Sequence, residues 1–335
     1  MTGQTTGRQA FNIVIVAQAG RLQYEALVFA ASLAAHAPAL AQRLYLAEPL
    51  PGPRWPGDPR IGNPAVREAL EGFGARFVSF ENRHFGASYP YGNKIEALAA
   101  LPAGEPFVFF DTDTLVTGPL DRVPFDFTRP SASARVEPTW PEPQNYVADY
   151  DSIWRALYGR FGLDIGPTID PAQPADYWKR YMYFNAGWFF GACPVEFGRR
   201  FADYAVAIRN DPGDMLAAQS LDPWLDQVAL PLVIASFGGG RPGPELAGLD
   251  GDITCHYRAL PLLYARESDR AVDVLEEVTA DKALKRLLRD WEPAKKLVYQ
   301  GKGRQKVRPL FDRADLPPRE QVIRNTIKRE GWWLR

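Results

Sequence analysis

A short apolar strand that runs directly into two carboxylates constrains this chain more than any other feature. Residues Phe107 to Phe110 are four consecutive apolar residues, and Asp111-Thr112-Asp113 follows them at once. An uninterrupted apolar run of this length is typical of a strand that is buried on both faces of a sheet. Two carboxylates one residue apart repel each other unless a cation lies between them. The pattern therefore predicts a divalent metal site at the end of a core strand, with a polar turn as the alternative.

The residues before this strand alternate between predicted strands and helices. This rhythm predicts an α/β fold with a mostly parallel sheet covered by helices, in which ligands collect at the carboxyl ends of the strands. No GxGxxG follows the first strand, so a dinucleotide site has no support. Lys94 falls in the first turn of the helix before the Asp-Thr-Asp strand. The predicted strands are 11–17, 43–47 and 75–80, and the predicted helices are 24–37, 64–73 and 93–101.

The composition places the chain among ordinary globular proteins. Its 335 residues, 46% hydrophobic and 24% charged, suffice for one large α/β domain or for a domain with a substantial insertion. The longest apolar stretches are too short to span a bilayer, and the polar first residues show no signal peptide. With only Cys193 and Cys255, neither a disulfide framework nor a cysteine zinc motif is present. We therefore expect a protein of the reducing cytoplasm.

The net charge of −1 conceals an uneven distribution of charge. Residues 282–335 contain 16 Lys and Arg against 6 Asp and Glu, so the rest of the chain is acidic. This basic tail ends in Gly331-Trp332-Trp333-Leu334-Arg335, after a helix that carries Val322, Ile323, Thr326 and Ile327 on one face. Tryptophan beside basic residues is typical of interfacial segments, which predicts a peripheral contact with an anionic membrane surface. A solvated helix with packed tryptophans is the alternative, and without a nucleic-acid module no nucleic-acid partner is expected.

A segment rich in proline and aromatic residues spans residues 129–180. Such a density of rings predicts an ordered loop or lid rather than a linker. Two interpretations stay open, since rings beside acidic residues either form a sugar-binding surface or pack structurally. The aromatic residues concerned are Trp140, Tyr146, Tyr150, Trp154, Tyr158 and Trp178.

Three later motifs place polar groups within apolar surroundings. Asn185-Ala186-Gly187 interrupts the aromatic run Tyr181 to Phe190, which predicts a strand whose glycine marks a close approach of backbone or ligand. Asp226-Gln227 opens an apolar helix, where Asp226 is either a functional carboxylate or an N-terminal cap. His256, one of three histidines, ends a short predicted strand.

The order of these motifs resembles that of the GT-A glycosyltransferases, in particular glycosyltransferase family 8, which holds glycogenin and bacterial lipopolysaccharide galactosyltransferases. The resemblance covers residues 11–260 and implies a GT-A type, mostly parallel twisted sheet covered by helices. A Rossmann-like half would bind the nucleotide sugar, and an acceptor-side half would complete the site. We expect a glycosyltransferase-like domain over residues 1–265, with an insertion at about 129–180, and a basic helical extension over 266–335.

The resemblance also implies roles for individual residues. Asp111, Asp113 and His256 would hold Mn²⁺ or Mg²⁺ at the diphosphate of a nucleotide sugar, with Asp111 also near the ribose. Binding of the donor would involve Ala17 and Gln18 at the base, Thr112 beside the metal ligands and Lys94 at the donor sugar or phosphates. Asn185, Asp226 and Gln227 would face the donor sugar and the acceptor.

The implied activity is metal-dependent transfer of a hexose from a nucleotide diphosphate sugar, a UDP-sugar by resemblance, to a glycan or lipid-linked glycan. Retention of the anomeric configuration is expected. Gln18-Ala19-Gly20 stands where the family has an acid after the first strand, and Tyr-Arg-Ala-Leu-Pro follows His256 in place of the family's ending. Two other interpretations stay open. One is a non-catalytic protein that binds a sugar nucleotide or a partner, and the other is a phosphatase of the haloacid-dehalogenase type, with Asp250 in its second acidic motif.

Overall fold

A mixed sheet organises the residues that the computed structural model describes, which are 9–142 and 148–335. Its strands and those of a separate ribbon are β1 (Asn12–Val16), β2 (Leu44–Pro49), β3 (Arg76–Phe80), β4 (Phe107–Phe110), β5 (Thr114–Val116), β6 (Trp188–Gly191) and β7 (Thr254–His256). The sheet order is β3-β2-β1-β4-β6, in which β6 alone is antiparallel to its neighbour. β5 and β7 form the antiparallel ribbon. The mostly parallel α/β sheet is therefore confirmed.

Helices cover both faces of this sheet because its central strands are buried on both sides. They are α1 (Arg21–His36), α2 (Pro38–Ala41), α3 (Pro64–Gly72), α4 (Asn93–Glu96), α5 (Tyr150–Arg160), α6 (Pro194–Asn210), α7 (Leu225–Ser236), α8 (Leu260–Arg266), α9 (Asp269–Val278), α10 (Lys282–Leu288) and α11 (Glu320–Arg329). Successive residues of a strand point to opposite faces. Ile13 and Ile15 accordingly pack in one cluster with α1 and the C-terminal helices, while Val14 and Val16 pack in the other with α6 and α7.

The carboxyl ends of β1 and β4 meet at one edge of the sheet. All four residues of β4 are buried, and Phe109 pairs with Val14 of β1. Beyond the last pair, the hydroxyl of Thr112 donates to the carbonyl of Val16 at 2.6 Å. This bond holds the chain between Asp111 and Asp113 against β1. The Asp-Thr-Asp turn is thus fixed by the same parallel pairing that buries β4.

The aromatic run from Tyr181 to Phe190 was predicted as a strand interrupted at Asn185-Ala186-Gly187. The interruption is confirmed, but the part of the run before it is not a strand. Regular strand structure begins only at Trp188. Ala186 has a φ of 55°, which a continuous strand excludes, and the side-chain oxygen of Asn185 accepts the Gly187 N–H at 2.7 Å. The predicted close approach at Gly187 is confirmed, since a Cβ there would lie 2.2 Å from His256 Nδ1.

The most deeply buried rings of the 129–180 segment pack structurally, whereas those of Tyr150 and Trp178 are only half-buried. Trp140, Trp154 and Tyr158 are each at most 2% exposed, and the two tryptophan rings meet edge to face at 5.3 Å. Side chains so deeply buried cannot serve as a sugar-binding surface. Tyr146 lies outside the described residues, as do the polar first residues 1–8.

The C-terminal segment packs on the same core as α1. Leu284, Leu288, Ile323 and Ile327 are buried in that cluster, and the rings of Trp332-Trp333 are half-buried against it. Val322, which was predicted on the apolar face of α11, is instead 48% exposed because it points away from Ile323 and Ile327. Within residues 9–142 and 148–335, no helix has both the length and the hydrophobicity to cross a bilayer.

Candidate active site

Two carboxylates and one imidazole converge at the end of β4. His256 Nε2 lies 3.1 Å from Asp113 Oδ1 and 3.6 Å from Asp111 Oδ2. The β5–β7 ribbon produces this meeting because it pairs His256 with Thr114, and the Tyr257 N–H donates to the Asp113 carbonyl at 3.0 Å. Strands that are far apart in the sequence therefore bring the three predicted metal ligands together.

The chemistry of this cluster fits a divalent metal ion. One ligand atom from each of the three residues lies within 4.8 Å of the others. Carboxylate oxygens suit Mg²⁺ and Mn²⁺, and an added imidazole nitrogen favours Mn²⁺. His256 Nε2 is the nitrogen placed to ligate, because it faces both carboxylates while Nδ1 is buried against Gly187. Burial works toward a higher pKa of Asp113, but His256 and Arg21 outweigh it and hold that pKa well below the ordinary value.

Lys94 joins this cluster to a third carboxylate. Its ammonium lies 2.8 Å from Asp111 Oδ1 and 3.2 Å from Asp226 Oδ2, and it donates to the Ala186 carbonyl at 3.2 Å. Burial alone would lower the pKa of Lys94, but the two carboxylates outweigh burial and raise it. The side chain therefore stays charged while only 6% exposed. Lys94 fixes the distance between the Asp-Thr-Asp turn and α7.

Asp226 is held as a buried acceptor and does not cap its helix. Trp224 occupies the N-cap of α7, whose first turn contains Asp226, so the capping alternative is wrong. The Tyr89 hydroxyl donates to Asp226 Oδ1 at 2.8 Å, and the Asp226 N–H donates back to that hydroxyl at 3.0 Å. With Lys94 on its other oxygen, the carboxylate has a single orientation.

Asn185 and Gln227 line the same space as Asp226. The Asn185 amide donates to the Arg135 carbonyl while its oxygen accepts from Gly187. Gln227 Oε1 accepts from the Tyr183 hydroxyl at 3.0 Å, which leaves its Nε2 as the group available to a ligand. Both amides thus have defined orientations beside the metal-ligand cluster.

Two cavities meet at the metal-ligand cluster. The narrow cavity, of 260 Å³, has Gln18, Leu22, Tyr91 and Asn93 in its wall. The wide cavity, of 450 Å³, is lined by residues from the whole chain. Thr112 lines the narrow cavity, whereas Ala17, predicted at the base, is fully buried and lines neither. Residues that line both cavities are Arg21, Tyr91, Lys94, Asp111 and Asp113. Residues that line the wide cavity but not the narrow one include Glu137, Asn185, Asp226, Gln227, Arg258 and Glu320.

Arg21 is a member of the site that motif reasoning missed. Its guanidinium lies 3.4 Å from Asp113 Oδ2 and 2.8 Å from Glu25 Oε1. Burial, reinforced by the nearby charge of Asp113, raises the pKa of Glu25 well above its ordinary value. An arginine in the first turn of an ordinary helix carries no local pattern that predicts this contact.

A mostly parallel α/β sheet with an Asp-Thr-Asp turn, an imidazole and adjoining cavities at its carboxyl edge agrees with the glycosyltransferase that the sequence predicts. Residues 13–238 match the model of the family described as Rhodobacterales glycosyltransferase domain. The chain belongs to that family, and the predicted glycosyltransferase is thereby confirmed. No curated protein matches the sequence.

Solved glycosyltransferase structures resemble the chain only distantly. The galactosyltransferase LgtC, solved with donor and acceptor sugar analogs, is 17% identical with a TM-score of 0.39, over 69% of this chain and 72% of that one. The bifunctional glycosyltransferase WbbM is 14% identical with a TM-score of 0.47, over 88% of this chain and 52% of that one. GlyE of Streptococcus pneumoniae TIGR4 is 13% identical with a TM-score of 0.43, over 86% and 65%.

The phosphatase interpretation fails on its second acidic motif. Asp250 accepts hydrogen bonds from the Ser133 hydroxyl at 2.6 Å and the Trp188 indole at 2.8 Å. These contacts give the carboxylate a structural role beneath β6, and neither cavity at the metal-ligand cluster includes it. The family assignment points the same way.

Proposed function

We propose that the protein transfers a hexose from a nucleotide diphosphate sugar, a UDP-sugar, to a glycan or lipid-linked glycan with the help of Mn²⁺ or Mg²⁺. One observation carries this proposal. The Asp111, Asp113 and His256 cluster lies where two cavities meet, and we assign the nucleotide to the narrow cavity and the sugars to the wide one. A diphosphate at the junction would join the two occupants.

The residues at the junction would manage the charge of the diphosphate. A divalent ion on Asp111, Asp113 and His256 would neutralise the charge that develops on the departing nucleotide. The Lys94 ammonium, between Asp111 and Asp226, is placed to add a further positive charge. Arg21 restrains Asp113 from the other side. These groups are fixed before substrate binds, which is the arrangement that stabilises a developing charge most effectively.

The geometry around Asp226 supports retention of configuration. Tyr89 occupies one carboxylate oxygen and Lys94 the other, and the residue is 1% exposed. A carboxylate so engaged is suited to stabilise an oxocarbenium-like state rather than to remove a proton from an acceptor hydroxyl. Asn185 and Gln227 would orient the donor sugar from the opposite wall.

We further propose that the 266–335 extension contributes to acceptor binding and the 1–265 domain to donor binding. Support comes from Glu320 of α11, which lines the wide cavity. A lipid-linked acceptor would reach this cavity at the cytoplasmic face of a membrane, with the basic tail at the anionic surface. Part of the tail's positive charge is paired within the protein, since Arg304 pairs with Asp273 and Glu276. Flotation with anionic vesicles tests the membrane contact.

The proposal predicts a metal-dependent donor complex. UDP-sugars with Mn²⁺ should raise the melting temperature and should be hydrolysed or transferred, and Asp113→Asn should lower kcat about 100-fold or more because a ligand charge is lost. Asp203→Asn, an exposed acid on α6, is the matched control. Stabilisation without turnover would favour the non-catalytic sugar-nucleotide binder. No effect of any nucleotide diphosphate, with or without metal, would contradict both.

A further inference from the structure

A chain of hydrogen-bonded polar side chains, three of them amides, runs from the half-buried Trp55 to the narrow cavity. The Trp55 indole donates to Asn82 Oδ1 at 2.7 Å, and Asn82 Nδ2 donates to Asn93 Oδ1 at 2.9 Å and to Glu96 Oε2 at 2.7 Å. Asn93 Nδ2 then donates to Gln18 Oε1 at 3.3 Å. We call Trp55, Asn82, Glu96, Asn93 and Gln18 the amide relay.

The chemistry of its first members fixes the direction of the amide relay. An indole N–H can only donate, so Asn82 must turn its oxygen toward Trp55. An ionised carboxylate can only accept, so Asn82 must turn its NH₂ toward Glu96, whose other oxygen accepts the backbone N–H groups of Arg83 and His84 at 2.6 and 2.8 Å. The orientation of Asn82 is therefore determined from both sides. A flipped amide would oppose donor to donor and acceptor to acceptor.

This orientation is transmitted to the cavity. Asn93, which is 2% exposed, must present its oxygen to Asn82 and its NH₂ to Gln18. Gln18 consequently uses its oxygen on Asn93, and its Nε2 donates to no group in the described part of the chain. Gln18 lines the narrow cavity, so the relay leaves an NH₂ donor as the group that this position offers to a ligand.

We propose that Gln18 Nε2 donates a hydrogen bond to a carbonyl oxygen on the base of the bound nucleotide, and that the amide relay sets this preference. The inference rests on the proposed function, which puts a nucleotide in the narrow cavity. Leu22, Pro90 and Tyr91 supply the apolar wall that a planar base requires. Uracil and guanine present exocyclic carbonyl oxygens, whereas the exocyclic group of adenine is an amino donor. A carboxylate at this position would instead favour an N–H on the base.

Gln18→Glu tests the contact directly, because it exchanges the donor for an acceptor of the same shape. Affinities for UDP, ADP and inorganic pyrophosphate are measured calorimetrically with saturating Mn²⁺. Pyrophosphate lacks a base, so the ratio of UDP to pyrophosphate affinity removes any general effect of the added charge. This ratio should fall about tenfold, and ADP should gain on UDP. Gln42→Glu, an exposed position at the amino end of β2, should leave the ratio unchanged.

Asn93→Asp tests the relay while Gln18 itself is intact. A carboxylate at position 93 can only accept, so the Gln18 amide should rotate, give its NH₂ to that carboxylate and turn its oxygen to the base. The UDP to pyrophosphate ratio should again fall several-fold, with melting temperature as the check on folding. An unchanged ratio in either variant overturns the inference. If pyrophosphate binds with Mn²⁺ but wild-type protein shows no preference for UDP over ADP, the inference fails while the metal site stands; if no diphosphate binds, the proposed function fails as well.

Discussion

The narrow and wide cavities share five residues but are built in opposite ways. Every residue of the narrow cavity lies between Val16 and Asp113, within the β-α-β part of the chain. The wide cavity draws on segments from Arg21 to Arg335 and includes residues of α7, α11 and the strand β7. One cavity is thus a product of local chain order, whereas the other exists only when distant segments are docked. The difference indicates that donor binding and acceptor binding can be disturbed separately.

The two cavities also differ in how their polar groups are neutralised. Among the residues that line the narrow cavity alone, Gln18 and Asn93 are neutral amides joined by one hydrogen bond. In the wide cavity, Glu320 is 5% exposed and pairs with Arg258, Arg266 and Arg324. Arg258 also has a φ of 63°, a conformation that is uncommon outside glycine and clusters at functional sites. The paired charges around Glu320 are expected to respond to pH, whereas the neutral amides of Gln18 and Asn93 are not.

The largest effect expected from this comparison is that of Asp226→Asn. The substitution keeps the shape of the side chain and leaves Lys94 paired with Asp111, so the fold should persist. Loss of the charge beside the reacting sugar should lower kcat about 100- to 1,000-fold. UDP affinity with Mn²⁺, measured by calorimetry, should change less than about threefold because Asp226 does not line the narrow cavity.

Tyr89→Phe is the graded control for that substitution. It removes the hydroxyl that donates to Asp226 Oδ1 but keeps the ring in the core. A smaller fall in kcat, about tenfold, is expected from the loss of one positioning hydrogen bond. Equal loss of UDP affinity and kcat in Asp226→Asn would show that the two cavities are not separable.

The sequence predicted the half of the site that local chemistry determines. Four apolar residues before Asp111 and Asp113 define β4 and its turn, because burial of a strand and the position of its end are local properties. The partners of these groups are not local. Tyr89 and Asp226 are 137 residues apart, and Arg258 and Glu320 are 62 apart. Their meeting follows from how α7 packs on α6 and how α11 packs on α8, which no periodicity in the sequence reveals.

The amide relay marks a further limit of the sequence prediction. Gln18 was placed at the base by resemblance, yet its donor orientation depends on Trp55, Asn82 and Glu96. None of these residues belongs to a motif. The sequence shows that Gln18 stands where the resembling family has an acid. It does not show which end of the Gln18 amide faces the cavity, because hydrogen-bond direction is a property of the folded network.

Glu320→Gln should disturb the wide cavity alone. Loss of the buried charge leaves Arg258, Arg266 and Arg324 without their common partner, and the free energy of unfolding should fall by about 2 to 4 kcal/mol. Urea unfolding measures this change, and the affinity for UDP with Mn²⁺ should stay at the wild-type value. Glu330→Gln, an exposed residue that follows α11, is the matched control. Weaker UDP binding in Glu320→Gln would contradict the separation of the two cavities.

Glu320→Gln should also change how the free energy of unfolding depends on pH below neutrality. Burial alone would raise the pKa of Glu320, but Arg266 and Arg258 outweigh it and lower the pKa. A carboxylate with a lowered pKa contributes stability above its unfolded pKa of about 4.3, and that contribution is lost as the pH falls below this value. Wild-type protein should therefore lose more stability than Glu320→Gln between about pH 5 and pH 3. If wild-type protein and Glu320→Gln lose the same free energy of unfolding over this pH range, another group causes the loss of stability in acid.

The smallest expected effect is that of Tyr91→Ala, which tests the one aromatic ring common to both cavities. Tyr91 is 48% exposed, and its ring lies 5.7 Å from that of Tyr89 at the shared mouth. Loss of one ring contact of this kind costs about 1 kcal/mol, so UDP affinity and transfer should each fall about fivefold. Tyr177→Ala, 38% exposed elsewhere, should change neither. If only UDP affinity falls, the ring belongs to the nucleotide, and if only transfer falls, it belongs to the acceptor. We expect both UDP affinity and transfer to fall, because the Tyr91 ring lines the narrow and the wide cavity alike.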